Sequence, residues 1–463
     1  MQSELIARLQ DIVGPDYVHS DAEELVCYSY DATHLQGLPE VVVRPGTVEQ
    51  VRQVMTLAGE NRLPVIPRGA GTNLSGGTVP LDGGIVLVTA RLNRILELDP
   101  DDFTVTVECG AITSAVHAAV EAQGLFYPPD PSSLNVSTIG GNIAECAGGP
   151  RALKYGVTRD YLLGLRAVLP DGTLLRTGGK TIKNVSGYDL TRLLCGSEGT
   201  LAVVAEATLK LIPLPEAKRT LLAVFPRLTD AAKAVNRLLR LSIVPATLEL
   251  MDDITLRTVE EYKHLGLPID VEAALLVELD GASTEVASQS VKVAQACREC
   301  GARDVNQAHD QVQSDQLWEG RRSSLAALAR ARPTTVLEDA TVPRSKIPTM
   351  VTGVKEIAAR HNLMIAIFGH AGDGNLHPTI LTDQRDADEW QRVESAISEI
   401  FRLAVSLGGT LSGEHGIGVL KRNYLPWEFG EEGLTVMGSI KRAFDPLGLL
   451  NPGKMFPSPA HPQ

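Results

Sequence analysis

The stretch Arg68-Gly69-Ala70-Gly71-Thr72-Asn73-Leu74-Ser75-Gly76-Gly77 follows directly on the apolar segment Leu63-Pro64-Val65-Ile66-Pro67, and it constrains the fold more than any other feature. A strand that runs into glycines puts backbone N–H groups in series without side chains to shield them, and such a nest suits phosphate oxygens. The two common nucleotide templates fail. A dinucleotide fingerprint opening at Gly69 needs glycine where Leu74 stands, and a Walker A loop opening at Gly71 needs lysine where Gly77 stands. Taken alone, an ordinary glycine-rich turn is an equally good reading.

The surroundings are of mixed α/β texture. Val41-Val42-Val43 is a predicted strand, and 47–60 a helix with Val48, Val51, Met55 and Ala58 at helical spacing and a Thr47/Gln50 capping box. Short strands and helices then alternate to about Leu214. The texture changes near Pro213 and Pro215. TLLAVF, a helix over about 229–241 and ATLELM form one β-α-β unit; ALLVELD, a helix over about 283–300 and ARDVNQ form another. Two such units in series predict an α+β domain of ferredoxin-like type. A helix around 344–361, the strand MIAIFGH, an Ala371-Gly372-Asp373-Gly374 turn, the strand NLHPTIL and a helix over about 386–407 follow. GGTLSGEHGIG and a last helix ending in FDPLGLLNPGK close the chain.

A chain of 463 residues exceeds what one core usually supports. The predicted segments are a helical cap over 1–35, a nucleotide-binding domain over 36–215, a substrate domain over 216–408 and a segment over 409–463 that completes the site. Net charge is −13 with no block of Lys/Arg, which argues against nucleic-acid binding. The start MQSELIARLQDIVG lacks a signal peptide's basic and apolar regions, and no apolar run reaches the roughly 20 residues of a membrane helix. The six cysteines are scattered apart from Cys297 and Cys300. These features predict a cytoplasmic protein that is not integral to a membrane.

Three of the ten histidines, His370, His377 and His415, fall close together near the C-terminal end. His370 ends one predicted strand and His377 lies just inside the next, so a hairpin brings both imidazoles to one neighbourhood as candidate ligands of a divalent metal. Glu414-His415 lies between Gly413 and Gly416; neighbours in extended chain face opposite sides, so one of the two can bind metal while the other faces a substrate. Spacing alone leaves open which does which.

Pro129-Asp130-Pro131-Ser132-Ser133, Thr138-Ile139-Gly140-Gly141-Asn142, Gly148-Gly149, Lys154-Tyr155-Gly156 and Gly196-Ser197-Glu198-Gly199-Thr200 follow the glycine run in order. Together they resemble the two-subdomain FAD-binding domain of the vanillyl-alcohol oxidase family. The resemblance implies FAD contacts from Arg68, Gly69, Gly71, Thr72, Asn73, Ser75, Gly76, Gly77, Pro129, Asp130, Thr138, Gly141, Asn142, Gly148, Tyr155, Gly156, Glu198, Gly199, Val204 and Asn451. Thr72, Asn73 and Leu74 stand where relatives with covalent flavin often carry histidine, so FAD is expected to be dissociable.

His370-Ala-Gly-Asp-Gly-Asn-Leu-His377, Ser412-Gly-Glu-His-Gly-Ile-Gly418 and Leu450-Asn-Pro-Gly-Lys454 are similar to C-terminal signatures of a narrower group. It contains bacterial glycolate oxidase flavin subunits, D-lactate dehydrogenases and D-2-hydroxyglutarate dehydrogenases. The resemblance implies a divalent metal (Zn, Mn or Fe) on His370, His377 and Glu414, His415 as general base, and Asn375 in the catalytic set. Trp318-Glu319-Gly320-Arg321 matches a W-x-x-R motif that assigns the substrate carboxylate to Arg321, with Arg322 its neighbour and rival. Leu337 occupies about the position where dicarboxylate enzymes carry lysine, so a small 2-hydroxy acid is expected, glycolate ahead of D-lactate. The resemblance also implies electron-transfer subunits, or a quinone or protein acceptor, and through partners a peripheral membrane location; the alternative is a flavin subunit that is inactive without those subunits. No cysteine pattern here would hold an iron–sulfur cluster.

Overall fold

The computed structural model describes residues 3–456. Met1, Gln2 and residues 457–463, the outer ends of the predicted first and last segments, lie outside them. The chain divides into two compact units: Met1–Gly148 with Val157–Leu214 and Glu414–Gln463, and Gly149–Gly156 with Pro215–Gly413.

The first unit holds two main sheets. In one, Val41–Val43, Ile85–Val88 and Val65–Arg68 run parallel. Every residue of Val41–Val43 and Ile85–Val88 is buried, as expected for parallel strands covered on both faces. The helix Val48–Asn61 packs on them through Val51, Val54, Met55 and Ala58. Its N-cap departs from the predicted capping box. Thr47 does accept from Gln50 N–H, but the Gln50 side chain takes the Gly46 N–H in place of the Thr47 amide and donates to Ile12 carbonyl. The N-terminal cap is not wholly helical either, because Val18–His19 adds an antiparallel edge strand beside Val42 and Val43. The second sheet is antiparallel, in the order Ile95–Asp99, Thr104–Glu108, Val203–Lys210, Leu162–Val168, Leu174–Gly178. The last helix, Leu425–Phe444, stops before Asp445-Pro446, where proline disfavours continuation, so FDPLGLLNPGK is largely a returning tail.

The second unit is built on one large antiparallel sheet. Its first four strands lie in the order Asp304–Gln307, Ala217–Phe225, Ala273–Gly281, Thr247–Asp252, the arrangement expected of two interleaved β-α-β units. Met364–His370, Asn375–Thr382 and Thr334–Leu337 extend it beyond Thr247–Asp252. One face buries Phe225, Leu248, Leu250, Leu275 and Ile367 against the helices Leu228–Arg240, Ser283–Glu299, Ile347–His361 and Ala387–Ser406. The opposite face carries Met251, Leu276, Ala366 and Phe368 under Trp318 and Leu328 from the helices Gln311–Arg322 and Ser324–Ala331.

Candidate functional site

In the first unit the glycine run leaves the end of the Val65–Arg68 strand and meets the segment that begins at Thr138. A Cβ added to Gly69 would collide with Thr138 Oγ1, so only glycine allows this approach. Thr138 caps the Ile139–Glu145 helix by accepting from Gly141 N–H, and Asn142 Nδ2 donates to Thr113 Oγ1 at 2.8 Å. Several residues expected to touch FAD are engaged within the protein. Arg68 Nη1 donates to Tyr30 carbonyl at 2.7 Å, and Asn73 Nδ2 to Asp31 Oδ2 at 2.7 Å. Pro129 carbonyl lies 2.9 Å from His117 Nε2. Asp130 is buried, and Val204 sits at a bulge of its strand. The Ser75 hydroxyl is fully buried and finds no partner among the described residues. A cradle glycine loop with an unsatisfied buried hydroxyl is what an FAD phosphate site requires.

The C-terminal tail closes on this loop. Asn451, at φ 45°, donates through Nδ2 to Gly77 carbonyl at 2.9 Å and Glu198 carbonyl at 2.7 Å, with Gly199 alongside. Glu198 is buried and accepts from Ile417 N–H at 2.7 Å and Gly418 N–H at 2.6 Å. It thereby clamps the segment that carries Glu414 and His415. Burial pushes its carboxyl up against the pull of those two amides, and burial together with Glu198 pushes neighbouring Glu145 well up. Gly148 lies against the Glu414 carboxylate: a Cβ there would come within 2.8 Å of Oε2. Tyr155 and Gly156 fall in the second unit, where Tyr155 hydroxyl donates to Asp280 Oδ2 at 2.7 Å.

In the second unit the hairpin does what its spacing predicts. His370 pairs with Asn375 and Phe368 with His377, so His370 and His377 are diagonal neighbours on one sheet face. Their rings lie 5.2 Å apart, edge to face, and both are buried. Gly374, at φ 92°, makes the turn pass so close to Val342 carbonyl that a Cβ would collide with it. Asn375 is buried and accepts from Thr341 Oγ1 at 3.1 Å.

Two carboxylates complete the face, and sequence reasoning missed both as site residues. Glu249, fully buried on Thr247–Asp252, stands directly across from His370 and lies 2.8 and 2.9 Å from its Nδ1. Burial opposes its charge, but His370 and Arg321 outweigh burial and hold the carboxyl below its usual range. Asp339 Oδ1 lies 3.7 Å from His377 Nδ1, while Oδ2 accepts from Ser412 hydroxyl at 2.6 Å and Gly413 N–H at 2.8 Å. Glu414 and His415 follow Gly413 directly in the chain. The available signal for Glu249 was a lone acid inside the otherwise apolar and hydroxyl-bearing ATLELM strand.

Arg321 reaches this face from its helix. Trp318 Nε1 donates to Glu278 Oε2 at 2.8 Å, and three residues on the same helix face turns inward again. Arg321 Nη2 forms an ion pair of 2.6 Å with Glu249 and its guanidinium lies 4.9 Å from the Phe368 ring. Its Nε is buried without a partner among the described residues. Arg322 is exposed and stacks on Trp318 at 5.3 Å. The donor set suits a divalent cation: two buried imidazoles, one of them with Nδ1 against a carboxylate, the arrangement that orients a ligating histidine.

Residues 214–455 match the family model "FAD linked oxidases, C-terminal domain", and residues 39–178 match "FAD binding domain". The chain belongs to the FAD-linked oxidases. It is 51% identical over 451 residues to a glycolate oxidase subunit of Bacillus subtilis, covering 97% of this chain and 96% of that protein. A D-lactate dehydrogenase of Archaeoglobus fulgidus is 39% identical over 417 residues, covering 90% and 91%. Among solved structures, p-cresol methylhydroxylase with substrate bound superposes with a TM-score of 0.80 at 16% identity, covering 99% of this chain and 98% of that one. The 4-ethylphenol oxidase of Gulosibacter chungangensis gives 0.81 at 18% identity, covering 99% and 97%. These likenesses bear out the vanillyl-alcohol oxidase fold. The chain is thus an FAD-dependent oxidoreductase of the hydroxy-acid oxidase and dehydrogenase kind. Among the described residues, no helix is long and apolar enough to cross a membrane.

Proposed function

We propose that this chain oxidises a small 2-hydroxy acid, glycolate ahead of D-lactate, to the 2-oxo acid, with non-covalent FAD and a divalent metal (Zn, Mn or Fe) on His370, His377 and Glu414. The observation that carries this reading is the row Glu249, His370 and His377 on one sheet face, with the Arg321 guanidinium held against it and its Nε–H open. FAD, when bound, would supply a hydride acceptor, and a divalent metal held by His370, His377 and Glu414 would supply Lewis acidity of the kind that takes water from about 15.7 to about 7.

The chain's own residues do the rest. Arg321 Nε–H meets the substrate carboxylate and orients Cα. His415, an imidazole whose ordinary pKa is about 6.5, takes the hydroxyl proton. Asn375 lies beside His370 in the hairpin register and offers its amide to the substrate oxygens. Leu337 supplies no charge for a second carboxylate. The test is anaerobic bleaching of the flavin by a panel of D- and L-2-hydroxy acids, with metal analysis of the same sample. Glycolate and D-lactate should bleach it and 2-hydroxyglutarate should not; a metal-free sample that bleaches at full rate refutes the metal assignment.

A second reading concerns company. The Bacillus subtilis relative is named a subunit of glycolate oxidase, which favours partner subunits that carry electrons onward and hold the chain at the cytoplasmic face of a membrane. Flavin that glycolate bleaches only once partner subunits are added would support it, whereas bleaching with no other protein present favours a self-sufficient enzyme.

A further inference from the structure

We infer that Glu249 is a positioning residue for both halves of the site: it fixes the His370 tautomer that presents Nε2, and it pins Arg321 so that Nε–H stays open for an anionic ligand. The inference rests on the metal reading above and extends it to a residue outside the ligand set.

The geometry is specific. Glu249 and His370 are direct partners across adjacent antiparallel strands, so their side chains rise from the same face a few ångströms apart. A carboxylate only accepts hydrogen bonds; both its oxygens lie within hydrogen-bond distance of His370 Nδ1, so that nitrogen carries the proton. A neutral imidazole then has its lone pair on Nε2. The same carboxylate meets Arg321 Nη2 at 2.6 Å, and Glu249 is fully buried. A buried carboxylate with two cationic or donor partners is well satisfied, and removing it strands both. The guanidinium is packed on Phe368 and tied at one end, which leaves Nε–H as its unused buried donor. One carboxylate therefore couples the group that meets a metal to the group that meets an anion.

The experiment uses flavin-loaded, metal-stripped full-length protein and its Glu249→Gln and Glu249→Asp variants. Selective 15N-histidine labelling reads the His370 tautomer, with His370→Gln identifying its signal. Calorimetric titration with Zn2+ or Mn2+ reads metal affinity. In the unmodified protein, at a pH where the ring is neutral, His370 should carry its proton on Nδ1. Glu249→Gln should mix the tautomers and weaken metal binding by about 10- to 100-fold, the usual cost of losing such a partner. Glu249→Asp, too short to span both partners, should keep more of the tautomer than of the metal affinity. A wild-type Nε2–H tautomer, or a Glu249→Gln variant with an unchanged tautomer and metal affinity within twofold, overturns the inference. Wild-type protein that binds neither ion refutes the metal reading instead, while the tautomer measurement, which needs no metal and no variant, still decides the role of Glu249.

Discussion

Replacing Glu198 by alanine removes the acceptor of two backbone amides, Ile417 N–H at 2.7 Å and Gly418 N–H at 2.6 Å. A buried donor left without a partner costs about 1–3 kcal/mol, so the two together give about 2–6 kcal/mol. Relief offsets part of this, because burial already raises the Glu198 carboxyl and Glu145 sits beside it. The expected net loss is about 2–4 kcal/mol, confined to the 414–418 segment. The backbone carbonyl of Glu198, which receives Asn451 Nδ2, survives the substitution. Amide hydrogen exchange read by mass spectrometry over 414–424 should therefore speed up by about 30- to 700-fold, at about 1.4 kcal/mol per decade. Peptides from Ala273–Gly281 should be unaffected. Flavin reduction by glycolate should slow as well, since His415 lies two residues ahead of the clamped amides. Exchange at 417 and 418 within threefold of the unmodified protein would refute the clamp.

His415→Asn should retain FAD and metal but lose at least about 100-fold in kcat, the lower range for a lost general base; near-normal flavin bleaching removes it from that role. Arg321→Ala should raise KM for glycolate strongly, whereas Arg322→Ala, at an exposed position, should change it less than twofold in steady-state assays. Dialysis against a chelator should abolish bleaching by glycolate and leave the flavin bound, with activity returning on addition of Zn2+ or Mn2+. Lys454 is buried, and desolvation lowers its ammonium to about 8. Its folded value lies below its free value of about 10.4, so this group adds stability as pH rises through about 8 to 10 and withdraws it as pH falls through 8. Thermal midpoints of Lys454→Met should lose that rise.

Much of the site was legible because its chemistry is local. The His370/His377 hairpin follows from strand period and a glycine turn, and the W-x-x-R spacing from helix period. Glu249 was not legible as a partner of His370, since only the pairing of Thr247–Asp252 with Met364–His370 brings them together across more than a hundred residues. The ferredoxin-like order was readable from two successive β-α-β units, but its extension by three further strands was not, because edge pairing is decided by tertiary contact. The capping glutamine went to Gly46 for a similar reason: Ile12, on a different helix, claims its amide. Motif likeness suggested Glu198 and Asn451 for FAD, while their side chains hold the chain's own backbone.

The bond from Asn451 to Gly77 spans 374 residues, and Lys454 Nζ donates to Val79 carbonyl from just beyond it. The Leu449 carbonyl likewise receives Val65 N–H. On a ribosome, the phosphate loop emerges long before the residues that brace it. A nascent chain halted before Leu449 would carry the whole glycine loop yet lack its brace, so a firm hold on the loop waits for residues 449–454.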